Sequence, residues 1–241
     1  MKDIRERDFT VGEVPGVLWS PATAAEDAPL ILMGHGGGTH KKAPAMTGRA
    51  DLLVTAGFHV AVIDAPGHGD RPRSAHDEAE IAELYRAREA GEPEGPIVVR
   101  YNAYLAELAV PEWQSTLDAL QKSPEIGPNA PVGYYGINMG TAIGVPFVAA
   151  EPRIKAAVFG QHWPDALTEP AQQITIPIEF AMQWHDEHIP RESALTLFDA
   201  FASKEKTLHA NAGTHKQLPR FEATSAVHFF IRHLNPHHPQ G

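Results

Sequence analysis

Six short apolar runs, separated by longer segments with helical spacing, constrain this chain more than any other feature. The runs lie at 30–33, 60–63, 132–135, 156–159, 178–182 and 207–210. Between them Met46, Ala50, Leu53 and Val54 share one helix face, as do Ala194, Leu197, Phe198 and Phe201. Near the end, Ala223, Ala226, Val227, Phe230, Ile231 and Leu234 follow i, i+3, i+4, i+7, i+8 and i+11, a clear amphipathic helix. Parallel strands need crossovers rather than hairpins, so strands alternating with helices predict an α/β fold. Its central sheet is mostly parallel and carries helices on both faces. Segment 9–19 reads as antiparallel strands ahead of that alternation.

Two stretches depart from the pattern. Residues 71–110 combine an acidic amphipathic helix (Ile81, Leu84, Tyr85), a Gly/Pro-rich turn at 91–96 and an aromatic segment with Tyr101 and Tyr104. This is too long for an ordinary loop between strand and helix. It predicts a short lid-like insert over the strand ends, within a single domain spanning 1–241. Residues 126–150 carry no charge over 25 positions, enough to span a bilayer. Pro128, Pro131, Pro146 and four glycines from Gly133 to Gly144 punctuate it instead as buried strand, sharp turn and buried helix.

Composition narrows the function. Thirty acidic against twenty basic residues give a net charge of −10, a field that repels nucleic acid and anionic membranes. Zero cysteines exclude disulfides, zinc thiolate sites and a cysteine nucleophile. The charged start, with no apolar stretch behind it, shows no signal peptide and suggests a soluble, cytoplasmic, enzyme-sized domain. No phosphate-binding glycine motif is present, since neither glycine cluster fits G-x-G-x-x-G or G-x-x-x-x-G-K. No cofactor is implied.

Four motifs sit just after apolar runs: His35-Gly36-Gly37-Gly38, Gly136-Ile137-Asn138-Met139-Gly140, Asp186-Glu187-His188-Ile189-Pro190, and Asn211-Ala212-Gly213-Thr214-His215. Their order resembles the α/β-hydrolase fold family over nearly the whole chain. Among its branches the chain is most similar to small bacterial serine esterases and dienelactone-hydrolase-type enzymes. The loop at 64–69 (Asp-Ala-Pro-Gly-His-Gly) also resembles the family's. The resemblance implies that 136–140 is the nucleophile elbow, with Asp186 and His215 following in the family's order of acid, then histidine. It also implies an oxyanion hole from the N–H groups of Gly37, Gly38 and Met139. A helix starting near Met139 would offer free N–H groups and a positive dipole end to an anion. Asp186 would fix the imidazole tautomer so that the other ring nitrogen serves as base; Glu187 is the alternative acid.

One position departs from the family's G-x-S-x-G: it holds Asn138. A carboxamide has a delocalised nitrogen lone pair and no proton for His215 to remove, so it cannot replace the serine in acyl-enzyme chemistry. Asn nevertheless tolerates the positive φ an elbow needs. Three readings follow. The first is an esterase whose serine has been exchanged, leaving it inactivated. The second is a non-hydrolytic catalyst (lyase-, cyclase- or isomerase-like) that uses His215 and Asp186 as acid and base. The third is a catalytically dead ligand-binding protein. His162 and Trp163, after the 156–159 run, are expected to line the pocket, and Tyr101 and Tyr104 to reach substrate from the insert. Asp64 and His68 are expected to hold their loop together, and Thr141 to pack or cap. His185, His188 and His209 form no metal motif, and His237 and His238 belong to a frayed tail.

Overall fold

The computed structural model describes residues 4–25 and 27–234; His237 and His238 lie outside them. A hairpin opens the chain, β1 (Ile4–Val11) and β2 (Val14–Pro21), closed by a two-residue loop in which Gly12 takes φ +59°. The alternation follows: β3 (Leu30–Gly34), α1 (Pro44–Thr55), β4 (His59–Ile63), α2 (Ala75–Ala90), α3 (Gly95–Gln121) and β5 (Val132–Gly136). The second half runs α4 (Met139–Ala150), β6 (Ile154–Gly160), α5 (Thr168–Ala171), β7 (Ile178–Gln183), α6 (Arg191–Ala200), β8 (Lys206–Asn211) and α7 (Phe221–Leu234). One eight-stranded sheet has the order β1-β2-β4-β3-β5-β6-β7-β8, with β3 to β8 parallel and β2 antiparallel to β4.

The period of two along each strand divides the core. In β3, Leu30 and Leu32 face α3 and α4, whereas Ile31 and Met33 face α1 and α7, and all four are fully buried. The buried positions of α1 are the four its sequence spacing marked, Met46, Ala50, Leu53 and Val54. Phe230 of α7 is fully buried against Phe58, Tyr135 and Phe229. Truncating Phe230 to Ala should cost about 3–5 kcal/mol, read as a lower urea midpoint with an unchanged m-value.

The uncharged stretch resolves as a loop, β5, a sharp turn and α4, and among the described residues no helix is long and apolar enough to cross a membrane. In the 71–110 region, Ser74 and Asp77 form a reciprocal capping box at the start of α2, and Gly91 ends that helix at φ +68°. The second helix does not stop at 110, where the sequence pattern ended the insert. Tyr101, Leu105, Ala109, Trp113, Leu117 and Leu120 make one buried stripe, so α3 continues through Pro111 as the 27-residue crossover into β5.

Candidate active site

All four motifs lie at the carboxyl ends of parallel strands, β3, β5, β7 and β8. Strand β5 runs into α4 through Asn138, whose backbone takes φ +59° and ψ −122°. That conformation is strained for a residue with a side chain and persists only where its surroundings fix it. The glycines on either side make the turn possible. A Cβ on Gly136 would stand 2.2 Å from the Gly140 carbonyl oxygen, and one on Gly140 would stand 2.5 Å from that of Gly34. Asn138 N–H donates to Gly160 O of β6 (3.1 Å). Thr141 is a residue whose part in the elbow the sequence did not reveal: its buried hydroxyl lies 2.8 Å from Gly136 O and 2.7 Å from Gly160 O, and accepts from Gly160 N–H. It therefore joins the ends of β5 and β6 beneath the turn. The Asn138 side chain is half-buried and has no hydrogen-bond partner among the described residues.

The loop after β3 is braced from within. His35 is buried, and its Nε2 accepts from Ala65 N–H (3.0 Å) while Nδ1 donates to Gly36 O (2.9 Å). Burial pushes its pKa down to about 4, so the ring is neutral and its tautomer fixed. Asp64, fully buried, accepts from the Lys41 ammonium (2.6 Å) and from the backbone N–H groups of Lys41 and Asp70, tying the loops after β3 and β4 together. Gly37 thereby lies against the elbow: a Cβ placed on it would stand 4.0 Å from Met139 Cβ. Among the described residues the N–H groups of Gly37, Gly38 and Met139 find no acceptor. The Met139 N–H stands at the positive end of α4, where an anion is favoured, with Gly37 beside it.

Asp186 Oδ2 accepts from His215 Nδ1 at 2.8 Å, and Asp186 Oδ1 accepts from the N–H groups of His188 and Ile189 at 2.9 Å each. Glu187, the alternative acid, instead accepts the backbone N–H of His215 (2.8 Å), so it places the loop rather than the ring. Gln161, which has no sequence signal of a role here, donates from Nε2 to His215 O at 2.7 Å. Since Gln161 directly follows the Gly160 that holds Asn138, the histidine loop and the elbow meet on neighbouring residues. Burial works to raise the Asp186 carboxyl, but the bonds from His215, Ile189 and His188 outweigh it and hold the pKa below the ordinary 3.8. A lowered folded-state pKa contributes stability that is complete above 3.8 and disappears as pH falls through the folded value. In denaturant titrations from about pH 6 to about pH 2, Asp186→Asn should therefore lose less stability on acidification than the native chain.

The four residues expected to contact substrate have other partners. Tyr101 is buried and its hydroxyl donates to Asp77 Oδ1 (3.0 Å), while the Tyr104 ring meets His76 edge-on at 4.3 Å. Both hold α2 against α3. His162 is buried and neutral, its pKa pushed down to about 4 by burial. Its Nε2 accepts from Asn102 (3.1 Å) and its Nδ1 donates to Trp163 O (3.1 Å). Trp163 packs on Gly95 at the start of α3. The His162 ring lines one wall of a groove of about 450 Å³ between α3, α4 and the loop after β6, which Ala103, Val110, Ala142, Pro146 and Leu167 make mainly apolar. Away from these strand ends, Glu179, His209 and Glu222 have donor atoms within 4.8 Å of one another, spacing a divalent ion accepts. There His209 Nδ1 lies 2.7 Å from Glu222.

A cold-adapted esterase from an Arctic intertidal metagenomic library, solved with polyethylene glycol bound, is 34% identical to this chain. The match covers 96% of this chain and 94% of that one at a TM-score of 0.75. The chain belongs to the esterases of the α/β-hydrolase fold. More distant α/β-hydrolases share the fold alone. A dienelactone hydrolase from Anabaena variabilis is 18% identical over 96% of this chain and 98% of its own, at a TM-score of 0.67. Est1E from Butyrivibrio proteoclasticus, solved with ferulic acid, is 15% identical over 93% and 97%, at 0.68. No protein-family model and no curated protein sequence matches the chain.

Proposed function

We propose that this α/β-hydrolase is built for carboxylic-ester chemistry on a small ester or carbonyl substrate, with Asn138 standing where the attacking serine belongs. In this reading His215 is the proton shuttle, Asp186 orients it, and the N–H groups of Gly37, Gly38 and Met139 receive the oxyanion. The observation that carries it is the Asn138 backbone, φ +59° and ψ −122°, held at a strand-to-helix elbow, while the ends of β7 and β8 in the same sheet present a bonded Asp–His pair. A residue with no nucleophilic atom has no need of that strained placement, whereas a serine there would be lifted toward substrate. The carboxamide positions a bound carbonyl instead of attacking it. The test is labelling by a fluorophosphonate, which reacts only with an activated hydroxyl. Asn138→Ser should label stoichiometrically and the native chain should not; an unlabelled variant that is folded by circular dichroism removes the reading.

The Asn138 side chain, without a hydrogen bond among the described residues, favours one second reading, a ligand-binding or non-hydrolytic role in which its amide donates and accepts. There the native chain would bind or convert its ligand and Asn138→Ser would not improve it. His215→Ala would abolish conversion but leave simple binding in place.

A further inference from the structure

We propose that Asn138 is a self-modification site: the elbow holds it ready to close onto the backbone nitrogen of Met139, losing ammonia and becoming a carboxylate. The argument is geometric. About the Cα–C bond of an L residue, Cβ stands roughly one third of a turn from the residue's own nitrogen, on the side of negative ψ. At ψ −122° the nitrogen of the next residue therefore eclipses the Cα–Cβ bond. Cγ of Asn138 then needs only rotation about χ1 to lie over the Met139 nitrogen, completing a five-membered ring. Helical ψ near −42° and strand ψ near +135° both hold the two atoms apart. An ordinary folded or unfolded chain rarely visits the required region, whereas here it is the resting conformation.

Three further observations agree. The Asn138 carboxamide has no hydrogen bond among the described residues to hold it back. The Met139 N–H has no acceptor among them, so its nitrogen is not engaged in the helix ladder. That nitrogen sits at the positive end of α4, which stabilises negative charge on the attacking nitrogen and on the tetrahedral oxygen.

The steps balance without any co-reactant except water. The Met139 nitrogen loses its proton to water and bonds to Cγ. The Cγ–Nδ2 bond breaks, and the nitrogen leaves with that proton as ammonia, giving a cyclic imide. Water then opens the imide at Cγ to give aspartate at the elbow, or at the main-chain carbonyl to give isoaspartate with the chain running through Cβ. The net change is asparagine plus water to an acid plus ammonia.

The native chain and the same chain in urea would be incubated at one pH and temperature, and the peptide spanning 123–153 followed by mass spectrometry. It contains Asn129, an exposed turn residue, as an internal control. The proposal expects the imide and acid at 138 to appear at least about tenfold faster in the folded chain than in urea. Asn129 should show no such acceleration, and Asn138→Gln, which cannot close a five-membered ring, no conversion at 138. Conversion of Asn138 that is no faster folded than unfolded, including none in either state, overturns it.

Discussion

Replacing Asn138 by Ser should raise the hydrolysis of short aryl esters on the order of 10⁶-fold over the native chain, the range lost when the nucleophile of such a triad is removed. The gain is expected to be this large because, in the proposed reading, the surroundings that a serine would use are already formed. Thr141 and the Gly136–Gly140 contact fix the elbow without using the residue-138 side chain. The Asp186–His215 bond is likewise formed in its absence. In the proposed reading the N–H groups of Gly37, Gly38 and Met139 would act on the oxyanion whichever atom attacks, so the native chain should retain a small acceleration over water. Steady-state rates of both proteins, with burst kinetics for acyl-enzyme in the variant, provide the measurement. A variant that neither turns over nor shows a burst would mean that His215 does not reach position 138.

In the Asn138→Ser background, Asp186→Asn should then lower kcat on the order of 10⁴-fold with little change in KM. The direction follows from where the two carboxylate oxygens point. Oδ1 accepts two backbone N–H groups, from His188 and Ile189, so the oxygen of an Asn side chain is drawn to that side. Its NH₂ then faces His215 Nδ1, which must become an acceptor, and the ring proton moves to Nε2. An imidazole protonated at Nε2 cannot take the serine proton. Glu187→Gln, at the residue that accepts the His215 backbone N–H rather than the ring, should cost far less. Equal losses at both positions would contradict this division of roles.

The central strands were legible because burial on both faces of a parallel strand leaves a nearly continuous apolar run, whatever the rest of the fold does; the edge strand β8 has no fully buried residue. All six expected runs are strands, the α1 stripe is where the 3.6-residue period put it, and α7 buries Ala226, Val227, Phe230 and Leu234 of its expected stripe together with Phe229. The Asp186 and His215 pairing was legible for a different reason: both follow strands whose carboxyl ends must share one edge of the sheet. The 71–110 region was legible only in outline, because its second helix runs on to Gln121. Tyr101 and Tyr104 are amphipathic residues, equally suited to touching a ligand or bracing a helix, and their local sequence is the same in both cases. Asp77 and His76, which claim them here, stand 24 and 28 positions away.

By itself the sequence determined the α/β alternation, the order of the four motifs and the amide in place of a hydroxyl at 138. These depend on side-chain chemistry and on periodicities of two or 3.6 residues, which are local properties. Only the tertiary structure decided that Gln161 and Glu187 seat the His215 loop, that Thr141 bolts the elbow to β6, and that His35 and His162 are neutral braces. Each of those roles is a hydrogen bond between residues distant in sequence or a burial that the neighbours impose. Neither has a local signature, because the partner exists only once the strands have been brought side by side.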